Sequence, residues 1–169
     1  MKKLFTPVLL FMLAINAMGQ ATKFDIVSYH PPVNWKQSDD DSYVAYSKTD
    51  STTWAQMAIY KSTTSKGDIE SDLDKEWEAV VLALHAVANE ENTKIDTANG
   101  WMTKSRSGIW KYQDTDVAII LTVISNGKVC ISLLCNATTA HYFQDFQQLV
   151  ASIRWEQEPD HFHHHPLNH

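Results

Sequence analysis

Five of the eight histidines fall within the last nine residues, as His161, His163, His164, His165 and His169. Neutral imidazole is a good ligand for Zn, Ni and Cu. Adjacent histidines on a flexible chain can turn toward one ion, whereas a strand would point alternate ones away. This segment is the candidate metal site, and Zn, Ni or Cu the only cofactors the sequence suggests. The opposing reading is a solvated tail that meets metal only adventitiously. Because imidazole must be neutral to bind, capture would weaken as pH falls through about 6.5.

Other reactive residue types are sparse. Cys135 and His141 lie close enough in sequence for a Cys-His nucleophile to be imagined, but both cysteines sit in an apolar stretch where burial suppresses thiolate formation. Cys130 and Cys135 are five apart in one expected strand, so they fall on opposite faces, about 16 Å apart along it and beyond disulfide reach. Buried free thiols are the expectation. Asp39, Asp40, Asp41 and Asp50 offer oxygen for Ca²⁺ but lack the glycine and distal glutamate of an EF-hand loop, so solvated loop charge is expected. The stretch from Asp68 to Glu78 holds six carboxylates and Lys75. Helix-dipole pairing and solubility account for them, with a basic partner as the alternative. His85 borders an apolar helix face and reads as a core-edge histidine, and His30, before Pro31-Pro32, as a turn residue.

Six tryptophans, at 35, 54, 77, 101, 110 and 155, are many for this length. Trp77 lies on an apolar helical stripe and belongs to the core. Trp101 and Trp110, nine apart in one strand, share a face only if Gly108 marks a bulge. Exposed together they would form a platform for a sugar or an apolar peptide, and otherwise they pack. There is no Gly-x-Ser-x-Gly, no phosphate-cradling glycine loop and no His-Glu-x-x-His, and no catalytic residue is assigned.

The elements that must position these residues follow from periodicity. Residues 24–29 alternate and end at Pro31-Pro32, a rigid turn that delivers Trp35. Residues 36–42 are polar. Residues 43–48 and 53–61 form a hairpin, with Trp54, Ala58 and Tyr60 on one face and Ala55, Met57 and Ile59 on the other. Both faces are apolar, so the sheet is covered on more than one side. From Ile69, apolar residues at 69, 73, 77, 80, 81, 84 and 88 keep helical spacing over about five turns, with Asp68 as the cap. Period two returns from Lys94. Asn99-Gly100 and Asn126-Gly127 read as type I′ turns of hairpins that include residues 101–112, 117–124 and 127–136. Thr139 caps a second helix whose inner stripe holds Tyr142, Phe143, Phe146, Leu149, Val150 and Ile153. The order βββα-ββββα, with hairpin connections, predicts an α+β fold. Its antiparallel sheet has about six to seven strands flanked by two main helices.

The 169 residues carry 20 acidic and 14 basic side chains, a formal charge of -6. That acidity, without a Lys/Arg cluster, argues against nucleic acid. Residues 1–19 have the build of a secretory signal: Lys2 and Lys3, an apolar run of about 15 residues, then Ala17-Met18-Gly19. Cleavage before Gln20 would leave 12 basic against 20 acidic residues, formally -8. The expected organisation is a signal peptide over 1–19, one α+β domain over 20–156 and a disordered His-rich tail over 157–169. The protein would then be periplasmic or extracellular, without a membrane anchor, and a monomer.

Phe24-Asp25-Ile26 followed by Tyr29-His30-Pro31-Pro32-Val33-Asn34-Trp35 resembles the opening of PsbP-like domains, the lumenal extrinsic proteins of photosystem II and their small exported bacterial relatives. Residues 142–155 are similar to the terminal helix of such domains. The resemblance implies an antiparallel sheet flanked by helices, used mostly as a non-enzymatic assembly or accessory module. No photosystem, manganese or calcium site is matched, so no functional residue is carried over. Three functions are thus in view. The first is a small exported, non-catalytic module for an unknown protein or envelope component. The second is metal capture by the tail, and the third an apolar-ligand or glycan site on a Trp-rich sheet face.

Overall fold

The computed structural model describes residues 20–98 and 100–156. The proposed signal segment and all five tail histidines lie outside these residues. The fold is α+β. Strands β3 (Lys36–Asp39), β4 (Tyr43–Asp50), β5 (Thr53–Tyr60), β11 (Val129–Ala137), β10 (Thr115–Ser125), β9 (Trp101–Tyr112) and β7 (Ala88–Asn92) form the main antiparallel sheet in that spatial order. Short strands β6 (Thr63–Thr64) and β8 (Asp96–Ala98) add to β11 and β9. A second sheet joins β1 (Thr22–Phe24), β2 (Val27–Tyr29) and β12 (Arg154–Trp155).

Helix α1 (Ile69–Glu76) covers one face of the main sheet. Helix α2 (Phe143–Ser152) and the small sheet cover part of the other. Strand parity divides the core accordingly. On β11, Cys130 and Leu134 pack under α1, while Ile131, Leu133 and Cys135 pack under α2. The two thiols are free, buried and on opposite faces, as their odd spacing requires. The same parity places Ala55, Met57 and Ile59 of β5 on the α2 side.

Several expectations are corrected. Among the described residues the main sheet has nine strands against the six or seven expected, and a second sheet has three, because short and polar stretches gain pairing partners that periodicity does not reveal. Residues 24–29 are not one strand: Asp25, at φ 51°, turns the chain so that Phe24 pairs with Val27. Asn and Asp tolerate this left-handed conformation better than most residues. The polar stretch 36–42 contributes β3, a fully exposed strand at one edge of the main sheet. Charged side chains there discourage pairing with another sheet. Asn126-Gly127 is not a type I′ turn. Asn126 N–H donates to the Val129 carbonyl and only Gly127, at φ 79°, is left-handed, so Gly127 and Lys128 are the central pair, as in a type II′ turn. The Asn126 side chain accepts from the N–H groups of Lys128 and Val129 and holds the turn there.

The first helix is shorter than its apolar pattern. Asp68 caps it, accepting from Ser71 N–H at 2.9 Å, and Ile69, Leu73, Trp77 and Val81 are buried. From Trp77 to Leu82, however, the chain is π-helical. Its wider turn rotates later residues off the stripe, leaving Leu84 75% exposed and Ala88 free to begin β7. Gly108 is not a bulge against β10, since the β9–β10 register runs unbroken from Thr115↔Tyr112 to Ser125↔Met102. The irregularity lies in β7, between Ala88 and Glu91. Gly108 is required because a Cβ there would sit 2.2 Å from Val87 Cγ1 and 3.2 Å from the Ala88 carbonyl oxygen.

Candidate functional site

Helix α2 is held over β11 and β5 by the buried side chains Phe146 and Leu149. Trp35 helps anchor its start, donating from Nε1 to Asp145 Oδ2 at 2.9 Å and meeting Tyr142 edge-on at 5.8 Å. Thr139 caps the short 3₁₀ turn Ala140–Tyr142 that leads into the helix. Expected to run on through Trp155, the helix instead ends at Ser152, and Arg154–Trp155 become β12. The helix does not reach across β10 and β9. What remains there is an open cavity of about 1000 Å³.

Its floor is set by alternation along two strands. Thr103, Ser105 and Ser107 of β9 face it beside Ile120, Thr122 and Ile124 of β10. Phe143, Phe146, Gln147, Val150 and Ala151 of α2 make one wall, and Thr93, Asp96 and Ala98 the other. At one end Trp101 of β9 and Trp155 of β12 stack face to face, with ring centroids 3.3 Å apart and planes 2° from parallel. Ser105 and Thr122 share a hydrogen bond of 2.8 Å across the strands. The side chains of Thr103, Ser107 and Gln147 make no hydrogen bond within the described residues. Arg154 donates to the carbonyls of Ala151 and Ile153, and Glu156 is ion-paired with Lys23, which holds its carboxyl below the usual range. Neither His nor Cys is among the lining residues.

The structure separates Trp101 and Trp110, the pair expected to share a platform if Gly108 bulged. With no bulge, their odd spacing sends Trp110 to the α1 face, where it stacks on His85 at 4.0 Å. His85 is therefore half-buried at the edge of the core, and burial lowers its pKa. Trp101 pairs with Trp155 instead, a partner 54 residues away that no local pattern reveals.

The remaining candidates do not converge. Cys135 is buried and its thiol is pushed up to about 12 by desolvation. His141 is exposed and lies 2.6 Å from Thr139 Oγ1 through Nδ1. Among the described residues no group of three or more His, Cys, Asp and Glu is placed to hold a metal ion. Asp39, Asp40, Asp41 and Asp50 are all exposed, Asp39 in β3, Asp40 accepting from Ser42 and Asp50 accepting from the Tyr142 hydroxyl at 3.2 Å. The acidic helix, by contrast, is more than a charged, dipole-favoured surface. Asp72 and Glu76 face the sheet and are buried, while Glu70 and Asp74 pair with Lys104 and Arg106 of β9. Helical spacing puts each i, i+4 pair on its own side of the apolar stripe.

No protein-family model matches the chain, and no curated protein matches its sequence. Solved structures do match in fold. One is the Ran-binding protein Mog1p of Saccharomyces cerevisiae, with TM-score 0.55 and 11% identity over 82% of this chain and 96% of Mog1p. Another is a protein of Bacteroides thetaiotaomicron, with TM-score 0.56 and 14% identity over 83% of this chain. The present chain matches half the length of that protein. At such identities the likeness is one of fold. Among the described residues no helix is long and apolar enough to cross a membrane.

Proposed function

We propose that this protein is a non-catalytic binding or accessory module whose binding surface is the groove between α2 and strands β8 to β10. The observation that carries the reading is the cavity itself. It is about 1000 Å³, at the upper end of the range for ligand pockets, and combines apolar walls with a few placed polar groups. The partner is a protein or an envelope component met after export to a periplasm or the extracellular space, as residues 1–19 suggest. Mog1p, of similar fold, is named for binding Ran, which supports a binding role without naming a ligand.

Ala151→Trp tests the reading, because Ala151 is exposed on the groove wall and an indole there fills the space without entering the core. Peptide, lipid and oligosaccharide panels are titrated against the chain by amide chemical-shift mapping. Shifts are expected at Thr103, Ser105 and Val150, and are lost in the variant at unchanged Tm. Ligand-induced shifts confined to the α1 face, or turnover of any probe, would contradict it.

A further inference from the structure

Resting on that reading of the groove, we infer that its ligand is a neutral oligosaccharide. The lining excludes the two other common occupants of such a space on chemical grounds. An acyl chain prefers a dry, apolar floor, and this one carries the hydroxyls of Thr103, Ser105, Ser107 and Thr122. A carboxylate or phosphate headgroup would meet the carboxylates of Asp96 and Glu156 in the lining, against one lining cation, Arg154, whose Nη1 donates to the carbonyls of Ala151 and Ile153. What the groove does offer matches a sugar. Thr103 and Ser107 lie on the groove face of β9 with hydroxyls that have no partner among the described residues, and the Gln147 amide, also without one among them, lies on the α2 wall. Each can both donate and accept, as sugar hydroxyls do. The stacked Trp101–Trp155 pair lines one end of the groove, and an outer ring face of the stack supplies the flat aromatic surface on which the apolar face of a pyranose ring packs.

The test titrates the chain with gluco-, galacto-, manno-, xylo- and N-acetylglucosamine oligomers in both anomeric linkages, read by tryptophan fluorescence and amide shifts. An unstructured peptide library runs as a second arm. Saturable binding of at least one neutral oligomer is expected. Thr103→Val should weaken it roughly three- to tenfold, the loss of one hydrogen bond, and Trp155→Ala about tenfold. Tyr112→Ala, on the opposite face, leaves it unchanged. Thr103→Val keeps the side-chain shape, so its result stands even if Trp155→Ala loosens the small sheet. If no oligomer binds, or if Thr103→Val binds as the parent does, the inference is overturned. Peptide binding in the groove without sugar binding would overturn it while sustaining the binding-module reading, and an empty groove in both arms would overturn both.

Discussion

Two acidic residues of α1 two positions apart, Asp72 and Asp74, are expected to differ sharply in what they contribute to stability. Asp72 is fully buried, and its carboxylate accepts from Ser65 Oγ at 2.6 Å, Lys66 N–H at 2.6 Å and Ser125 Oγ at 2.5 Å. It thereby ties the helix to the segment before it and to the end of β10. In Asp72→Ala the two hydroxyls can rotate toward other acceptors but the Lys66 N–H cannot. With hydrogen bonds to a charged group worth about 1.5–3 kcal/mol each, the net loss is about 3–5 kcal/mol. Asp74 has a side chain 68% exposed and pairs with Arg106 at 2.5 Å. With the carboxylate end in solvent, and Arg106 still donating to Asn92 Oδ1 when Asp74 is lost, the pair contributes about 0.2–1 kcal/mol. Asp72 lies in the first turn, where the helix dipole adds about 0.3–1 kcal/mol, and Asp74 lies beyond it, so the dipole widens the difference. At roughly 2–4 °C per kcal/mol for a chain of this size, Asp72→Ala should lower Tm by about 10 °C and Asp74→Ala by only a few degrees. Urea unfolding followed by circular dichroism at pH 7 gives the free energies directly. If the two variants agreed within about 0.5 kcal/mol, the assignment of Asp72 to a buried network would be refuted.

Two further outcomes follow from the core. Gly108→Ala should destabilise by about 1–3 kcal/mol through overpacking against Val87 and β7, and Val87→Ala in the same chain should recover part of the loss, as chemical unfolding of the single and double variants would show. Neither thiol should react with an alkylating reagent at pH 8 until the chain is unfolded, because burial raises both pKa values, that of Cys135 from 9.0 to about 12. Between those two pH values the folded chain keeps a proton that the unfolded chain releases. The contribution is thus present below pH 9 and lost as pH rises toward 12. The buried hydroxyls of Tyr29 and Tyr46, also raised by desolvation, add to the same alkaline decline. A Cys135→Ala variant with the same slope as the parent over that interval would contradict the thiol's part in it.

Much of the fold was legible in the sequence because it rests on local periodicity. A strand repeats every two residues, so the five-residue spacing of Cys130 and Cys135 already determined that they face opposite layers. The apolar stripe from Ile69 to Val81 likewise determined a helix laid on a sheet, and Asp68 where it starts. The candidate site was not legible in this way. Its floor, wall and end come from β9, β10, α2 and β12, and the Trp101–Trp155 stack spans 54 residues of chain. Only the tertiary structure could show that α2 stops short of β9 and leaves a groove, that Gly108 makes room for β7 rather than bulging toward β10, and that of two neighbouring aspartates one is buried and one exposed. Periodicity states which residues share a face. Which part of that face is covered depends on where distant elements come to rest, and that is decided by packing between them.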